Sequence, residues 1–239
     1  MNVWVGPADD LDSAEPVTND TDRGIRMYLW AYTNEHILYL QDRAGDQNWR
    51  IYSVNLKTGE TTDLTPLEGA QARIQAISHK LPEEILIAIN DRDPALYDIH
   101  RLNITTGERS RFMENEGFLR FTTDDDYNVR FAERFTSDGG KEILKATEDG
   151  GWEPFMEIAM EDSATTVFAG FDKTGTILHM TDSRDRNTAA IVTFDITTGE
   201  QTLIAEDSRS DVSDSMIHPT EKTVQAVAFT YERNSTLSH

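Results

Sequence analysis

A hairpin pattern of about eleven residues recurs along the chain and constrains its fold more than any other feature. The segment VNLKTGETTDL (residues 54–64) returns as LNITTGERSRF (residues 102–112) and as FDITTGEQTLI (residues 194–204), and a degenerate copy, KATEDGGWEPFM, occupies residues 145–156. Short runs of strand-forming residues around a glycine are typical of two strands joined by a tight turn. The turn glycines are predicted at Gly59, Gly107, Gly151 and Gly199, with spacings of 48, 44 and 48 residues.

A second marker keeps the same period. Runs that end in an acid followed by arginine precede the hairpins, at Asp42–Arg43, Asp91–Arg92, Glu133–Arg134, Asp185–Arg186 and Glu232–Arg233. A period in the forties with three or four short strands per unit is typical of one propeller blade, and the long apolar stripes of a helical repeat are missing. The sequence therefore predicts an all-β protein, a β-propeller of four-stranded antiparallel blades.

The repeat also predicts the domain organisation, a single propeller over residues 1–239. Four complete blades are expected at about residues 25–69, 70–117, 118–162 and 163–211. Residues 1–19 resemble the second half of a blade and residues 212–239 the first half, so together they predict a composite fifth blade. Such a blade closes the ring and removes open sheet edges. The alternative is an open arc of a larger propeller, so a monomer is expected if the ring closes and a dimer is possible if it does not.

Composition restricts partners and cofactors. The 43 acidic and 22 basic residues give a formal net charge of −21, which repels nucleic acid and anionic membrane surfaces. The chain has no cysteine, and its six histidines show no close ligand-like spacing, so neither a metal nor a cofactor is expected. No apolar run approaches the roughly 20 residues that span a bilayer, and no signal pattern opens the chain. A cytoplasmic location is predicted.

Three longer segments carry a family resemblance. HILYLQDRAGDQNWRIYSVNLKTGETTDLTP (residues 36–66), EILIAINDRDPALYDIHRLNITTGE (residues 84–108) and IHPTEKTVQAVAFTYER (residues 217–233) occur in this order. In amino-acid sequence and in order along the chain, these segments resemble the N-terminal propeller of the prolyl oligopeptidase family of serine peptidases. The resemblance is to its acylaminoacyl-peptidase and dipeptidyl-aminopeptidase-like branch. The similarity runs along essentially the whole chain.

The resemblance implies a function that depends on a second domain. In that family the propeller caps an α/β-hydrolase domain that carries the Ser, Asp and His of the triad, and it admits only short peptides. This chain departs from the family at the nucleophile, because no two of its glycines lie four positions apart and Gly-x-Ser-x-Gly is absent. We therefore expect a non-catalytic gating domain that partners a hydrolase domain in cis or in trans. The alternative is a free-standing propeller that binds a peptide or protein at its channel mouth.

The acid–arginine marker supplies the candidate binding residues. Because repeats place equivalent residues on one rim, a ring of charges is predicted near one mouth of the channel. It could bind peptide termini or contact a partner domain. Alternatively, the arginines simply pair with acids of neighbouring blades through forked hydrogen bonds. The candidate residues are Asp42, Arg43, Asp91, Arg92, Arg134, Arg186 and Arg233.

Overall fold

A computed structural model describes residues 1–231 and the backbone of residues 234–238. The chain forms two compact units, Met1–Glu116 and Gly117–His239. Both are built from antiparallel strands, and helical structure in the described part is confined to two short 3-10 turns, Leu11–Ser13 and Met160–Asp162.

The first unit contains a terminal hairpin and two four-stranded sheets. Strands β1 (Trp4–Val5) and β2 (Glu15–Pro16) form the hairpin. Blade 1 has the strands β3 (Met27–Trp30), β4 (His36–Gln41), β5 (Arg50–Asn55) and β6 (Thr61–Asp63), and blade 2 has β7 (Ala72–Ile77), β8 (Glu84–Asp93), β9 (Leu96–Asn103) and β10 (Arg109–Met113). Within each blade the strands pair in sequence order, as in a simple meander.

The second unit repeats this architecture. Blade 3 has the strands β11 (Arg120–Thr123), β12 (Val129–Phe135), β13 (Lys141–Ala146) and β14 (Trp152–Ile158), and blade 4 has β15 (Val167–Phe171), β16 (Ile177–Asp182), β17 (Ala190–Asp195) and β18 (Gln201–Ala205). A last sheet has the strands β19 (Val212–Ile217), β20 (Val224–Thr230) and β21 (Asn234–Ser238). The prediction of a β-propeller built from four-stranded antiparallel blades is confirmed.

The two terminal sheets differ in strand number. The hairpin β1–β2 forms a sheet of its own in the first unit. In the second unit β20 pairs with β21, a third strand that the sequence pattern did not indicate. The composite fifth blade, and with it the closed ring, stays a prediction.

The recurrent hairpin turn has a local physical cause. In blade 2 the Asn103 side-chain oxygen accepts hydrogen bonds from the backbone N–H groups of Thr105 and Thr106, both at 2.9 Å. Gly107 then adopts a φ of +73°, a left-handed conformation that glycine reaches without steric cost. Asn55 and Asp195 hold the turns of blades 1 and 4 in the same way. An Asx turn followed by glycine therefore explains why these copies are so similar.

The turn of blade 3 departs from the prediction. Gly150, and not Gly151, has the positive φ of +85°. Here the Thr147 N–H donates to the Gly151 carbonyl at 3.0 Å, so Gly151 already lies beyond the tight part of the turn. Because the two glycines are adjacent, the sequence alone does not show which of them takes the positive φ.

The cores form where blades of the same unit pack face to face. In the first unit one cluster joins Leu38 and Ile51 of blade 1 to Ile85 and Ile87 of blade 2, all at most 2% exposed. In the second unit Phe131 of blade 3 lies in a cluster with residues of blade 4. Central strands therefore bury side chains on both faces, which explains the nearly continuous apolar run of β8.

Candidate functional site

The predicted charged residues lie at matching places in the four blades. Asp42 directly follows β4, whereas Asp91 and Arg92 are among the last residues of β8. Arg134 is the penultimate residue of β12, and Arg186 lies in the loop that follows β16. All therefore lie at or just beyond the end of the second strand of a blade. Arg233 lies outside the described residues.

In blade 1 both predicted charges have partners nearby. Arg43 Nη2 donates to Asp63 Oδ2 at 2.7 Å, and Arg43 Nε donates to the Tyr52 hydroxyl at 3.3 Å. Asp42 is buried, and its carboxylate accepts hydrogen bonds from Arg23 Nε at 3.3 Å and from the Gln47 N–H at 3.2 Å. Asp42 is therefore a loop-organising acid, because its oxygens face its own loop and Arg23.

Blade 2 holds the most extensive network. Arg92 donates from Nε to Asp98 Oδ2 at 2.8 Å and from Nη2 to Asp98 Oδ1 at 2.9 Å. Arg92 Nη2 also donates to the Asn115 carbonyl at 2.8 Å, while the Asn115 N–H donates to Asp98. The hydrogen bonds from Arg92 hold the pKa of Asp98 below its usual value. Asp91 forms a longer ion pair with Arg109, at 3.5 Å.

Blades 3 and 4 repeat the ion pairs with other partners. Arg134 Nε and Nη2 both approach Glu142 Oε2 at 2.7 Å, across the β12–β13 hairpin. Arg186 pairs with Glu206, which follows the outer strand β18. In these pairs the arginine side chains stay partly exposed, and the carboxylate partner holds each guanidinium in one orientation.

The described candidate arginines thus pair with acids of their own blade. This differs from the alternative of pairs between neighbouring blades, whereas the forked hydrogen bonds of that alternative occur within blade 2, at Arg92. The acid partners lie 20, 6, 8 and 20 residues from their arginines, so no common spacing could have identified them: Asp63, Asp98, Glu142 and Glu206. The ring of charges at a channel mouth, and binding by it, stay predictions.

A polar cavity of about 740 Å³ opens beside Arg186 in blade 4. In its wall Arg184 donates from Nε and Nη2 to the two oxygens of Asp182, each at 2.8 Å. Burial alone would raise the pKa of Asp182, but the hydrogen bonds and charge of Arg184 outweigh it, and the pKa is lowered. The repeat pattern pointed to Arg186 and missed Arg184, although both belong to the segment MTDSRDR.

The described residues contain neither a membrane-spanning helix nor a metal-binding cluster. None of the helices in this part of the chain is long and apolar enough to cross a bilayer. No cluster of three or more histidine, aspartate or glutamate side chains among the described residues is arranged to hold a metal ion.

Comparison with known proteins connects the fold to a family. The chain is 40% identical over 235 residues to dipeptidyl aminopeptidase BIII of Pseudoxanthomonas mexicana, covering 98% of this chain and 34% of that protein. It is 30% identical over 233 residues to dipeptidyl peptidase family member 6 of Caenorhabditis elegans, covering 91% of this chain and 31% of that protein. The chain therefore spans about a third of the length of these relatives. No protein-family model matches it.

Solved structures agree on the fold. The β-propeller domain of the trilobed protease from Pyrococcus furiosus superimposes with a TM-score of 0.53 at 12% identity, covering 98% of this chain and 70% of that one. At this identity the similarity shows the fold alone, whereas the relatives with 30–40% identity show common descent with peptidases. The chain is a propeller segment of the prolyl oligopeptidase family of serine peptidases.

Proposed function

We propose that this segment is the non-catalytic gating domain of a serine peptidase. It covers an α/β-hydrolase domain, in the same chain or in a separate one, and admits only short peptides. The observation that carries the proposal is the 40% identity over 98% of the chain to a dipeptidyl aminopeptidase of which the matched region is about a third. Catalysis is assigned to the remaining part of such a protein.

The rim residues have a part in this proposal. A size filter must keep its opening narrow, so the loops around it must resist displacement. The ion pairs Arg92–Asp98 and Arg134–Glu142 tie the end of a second strand to the third strand of the same blade, and Arg43–Asp63 ties it to the fourth. We assign these rim residues, together with Asp42, Asp91, Arg186 and Arg233, to the surface that meets the hydrolase domain or an arriving peptide.

A chimera tests the gating function. This chain replaces the matched third of the P. mexicana dipeptidyl aminopeptidase, and hydrolysis of a dipeptidyl chromogenic substrate shows that the chimera is assembled. The same amino-terminal dipeptide is then presented on a peptide of about 30 residues, and the ratio of the two rates is compared with that of the parent. We expect strong preference for the short substrate. An active chimera that cleaves both substrates equally well would contradict gating.

A loosened rim gives a second readout within the active chimera. Asp98→Ala removes the buried partner of Arg92, whereas Phe135→Ala changes an exposed side chain of β12 and serves as the control. We expect Asp98→Ala to raise the rate on the long substrate relative to the short one. If the ratio of the rates on the long and the short substrate is unchanged in an active Asp98→Ala chimera, the rim ion pair does not contribute to gating.

The binding-scaffold alternative makes a different prediction. A free-standing scaffold binds its peptide ligand without any hydrolase, and it does not alter the substrate range of a chimera. The chain alone is expected to show no peptidase turnover under either function, so a positive turnover sensitive to a serine-directed inhibitor would contradict both.

A further inference from the structure

The cavity in blade 4 has the size of a ligand site. Its walls are the end of β16 with the loop that follows it, the start of β18 at Gln201, and the residues that follow β18. Its volume of about 740 Å³ is within the range of roughly 300–1,000 Å³ that is usual for small-molecule and cofactor pockets. The lining is polar and belongs to a single blade of the second unit.

The positive charges of the cavity are already neutralised. Arg184 is held by two hydrogen bonds to Asp182, whose side chain is 3% exposed, and Arg186 is paired with Glu206. Each guanidinium has five N–H donors, and these pairs use only some of them. The remaining donors suit neutral acceptors such as the carbonyl oxygens of a peptide backbone.

The negative charges exceed the positive ones. Four acids and two arginines line the cavity, which leaves a net charge of −2, inside a chain whose net charge is −21. Among the described residues Asp185 makes no ion pair, and it is exposed in a loop where its φ is +57°. Hydrogen bonds from Tyr231 and from the Arg209 backbone lower the pKa of Asp207, and the charge of Arg209, outside the lining, acts in the same direction. A carboxylate ligand would be repelled by this arrangement, and a cation would be attracted.

We infer that this cavity binds a lysine or arginine side chain of a peptide segment, with the cation beside Asp185 and Glu206 and the adjoining backbone carbonyls near Arg184 and Arg186. The cavity volume, the neutralised arginines and the surplus of carboxylates together support this ligand class. The site would favour basic peptides whether or not a hydrolase domain is present. Its existence is therefore independent of the proposed gating function.

Blocked peptides test the inference on the chain as it stands. Acetylated and amidated Ala-Ala-Lys-Ala-Ala and Ala-Ala-Glu-Ala-Ala carry no terminal charge, so only the central side chain differs. Binding of each is measured by NMR titration at low salt and again at about 0.5 M salt, where surface charges are largely screened. We expect the lysine peptide to bind at least about tenfold more tightly at low salt, and the difference to shrink at high salt.

Two variants and a matched control locate the site. Asp185→Asn removes one charge in an exposed loop and keeps a residue that tolerates positive φ, so folding is retained. Glu206→Gln removes the partner of Arg186, and we expect it to weaken the lysine peptide and strengthen the glutamate peptide. Glu148→Gln removes the same charge from an exposed turn of blade 3 and serves as the control.

The outcomes distinguish binding at this cavity from general electrostatic attraction by the negatively charged chain. A loss of lysine-peptide binding in Asp185→Asn and Glu206→Gln, without a loss in Glu148→Gln, is the expected result. Equal binding of both peptides, no binding of either, or the same loss in all three variants would overturn the inference. Because no hydrolase takes part, failure here leaves the chimera test of gating unaffected.

Discussion

Arg92 and Asp98 face each other across the β8–β9 hairpin and form two hydrogen bonds, of 2.8 and 2.9 Å, one to each carboxylate oxygen. The Asp98 side chain is 1% exposed, whereas a third of the Arg92 side chain reaches solvent. Asp98 also accepts the N–H of Asn115, the second residue after β10. One buried carboxylate thus joins the second, third and fourth strands at one end of blade 2.

Removing this carboxylate should destabilise the chain strongly. Asp98→Ala leaves the Asn115 N–H without its acceptor and removes two hydrogen bonds from Arg92, which keeps the Asn115 carbonyl and Glu114 as partners. Loss of a buried acceptor costs about 1–3 kcal/mol of unfolding free energy. Urea denaturation measures the change. Asp126→Ala, which removes an exposed acid of blade 3, is the comparison. Equal stability of the two variants would contradict the assigned role of Asp98.

The same pair predicts a dependence of stability on acid pH. Because Arg92 lowers the pKa of folded Asp98 below the ordinary value of about 3.9, the unfolded chain binds more protons in the intervening pH range. The stabilisation is therefore complete above pH about 4 and is lost as pH falls through the lower folded pKa.

Asp98→Asn should flatten this dependence. Urea denaturation between pH of about 6 and 2.5 is expected to show a shallower loss of stability on acidification than in the unchanged chain. The slope does not vanish, because Asp182 and other carboxyls also have lowered pKa values. An identical slope in both proteins would show that Asp98 does not contribute.

The hairpin turns give a test of backbone strain alone. A Cβ atom added at Gly107 meets no atom within 4 Å, so Gly107→Ala is opposed only by the φ of +73°. We expect a loss of about 1–2 kcal/mol of unfolding free energy, and a smaller loss for Gly107→Asn, because asparagine visits this conformation more readily. Thermal or urea denaturation decides between them. A larger loss for asparagine than for alanine would rule out conformational strain as the cause.

The aromatic core of the second unit offers a matched pair on one strand. Phe131 is 1% exposed and contacts the rings of Phe155, Phe168 and Phe171, whereas Phe135 is 62% exposed. Phe131→Ala should cost about 3–5 kcal/mol, because it opens a cavity in a packed core. Phe135→Ala should change stability by no more than about 0.5 kcal/mol. Similar effects of both substitutions would contradict the burial of Phe131 in the core and the exposure of Phe135 at the end of β12.

The local parts of the fold were predictable. The Asn–x–x–Thr–Gly turn at Gly107 and its copies depends on residues within five positions, so the sequence pattern predicts it directly. Alternation and apolar runs such as that of β8 then predict the strands, and the period of the turns predicts the blades. Even there, adjacent glycines left the turn of blade 3 ambiguous between Gly150 and Gly151.

The site was only partly predictable. The acid–arginine pattern identified Arg43, Arg92, Arg134 and Arg186 as equivalent positions at the ends of second strands. It did not identify their partners, and it missed Arg184, which shares the cavity wall with Asp182. Two arginines two residues apart in one loop are indistinguishable until the path of that loop is known.

By itself the sequence determined the repeat, the strand order within a blade and the relationship to the peptidase family, because each depends on short segments and their spacing. Only the tertiary structure decided which charges meet. The pairs Arg92–Asp98 and Arg186–Glu206 perform the same task with partners 6 and 20 residues away. Which acid pairs with an arginine depends on which carboxylates the loop places within reach of the guanidinium. This distance is set only when the blade is folded.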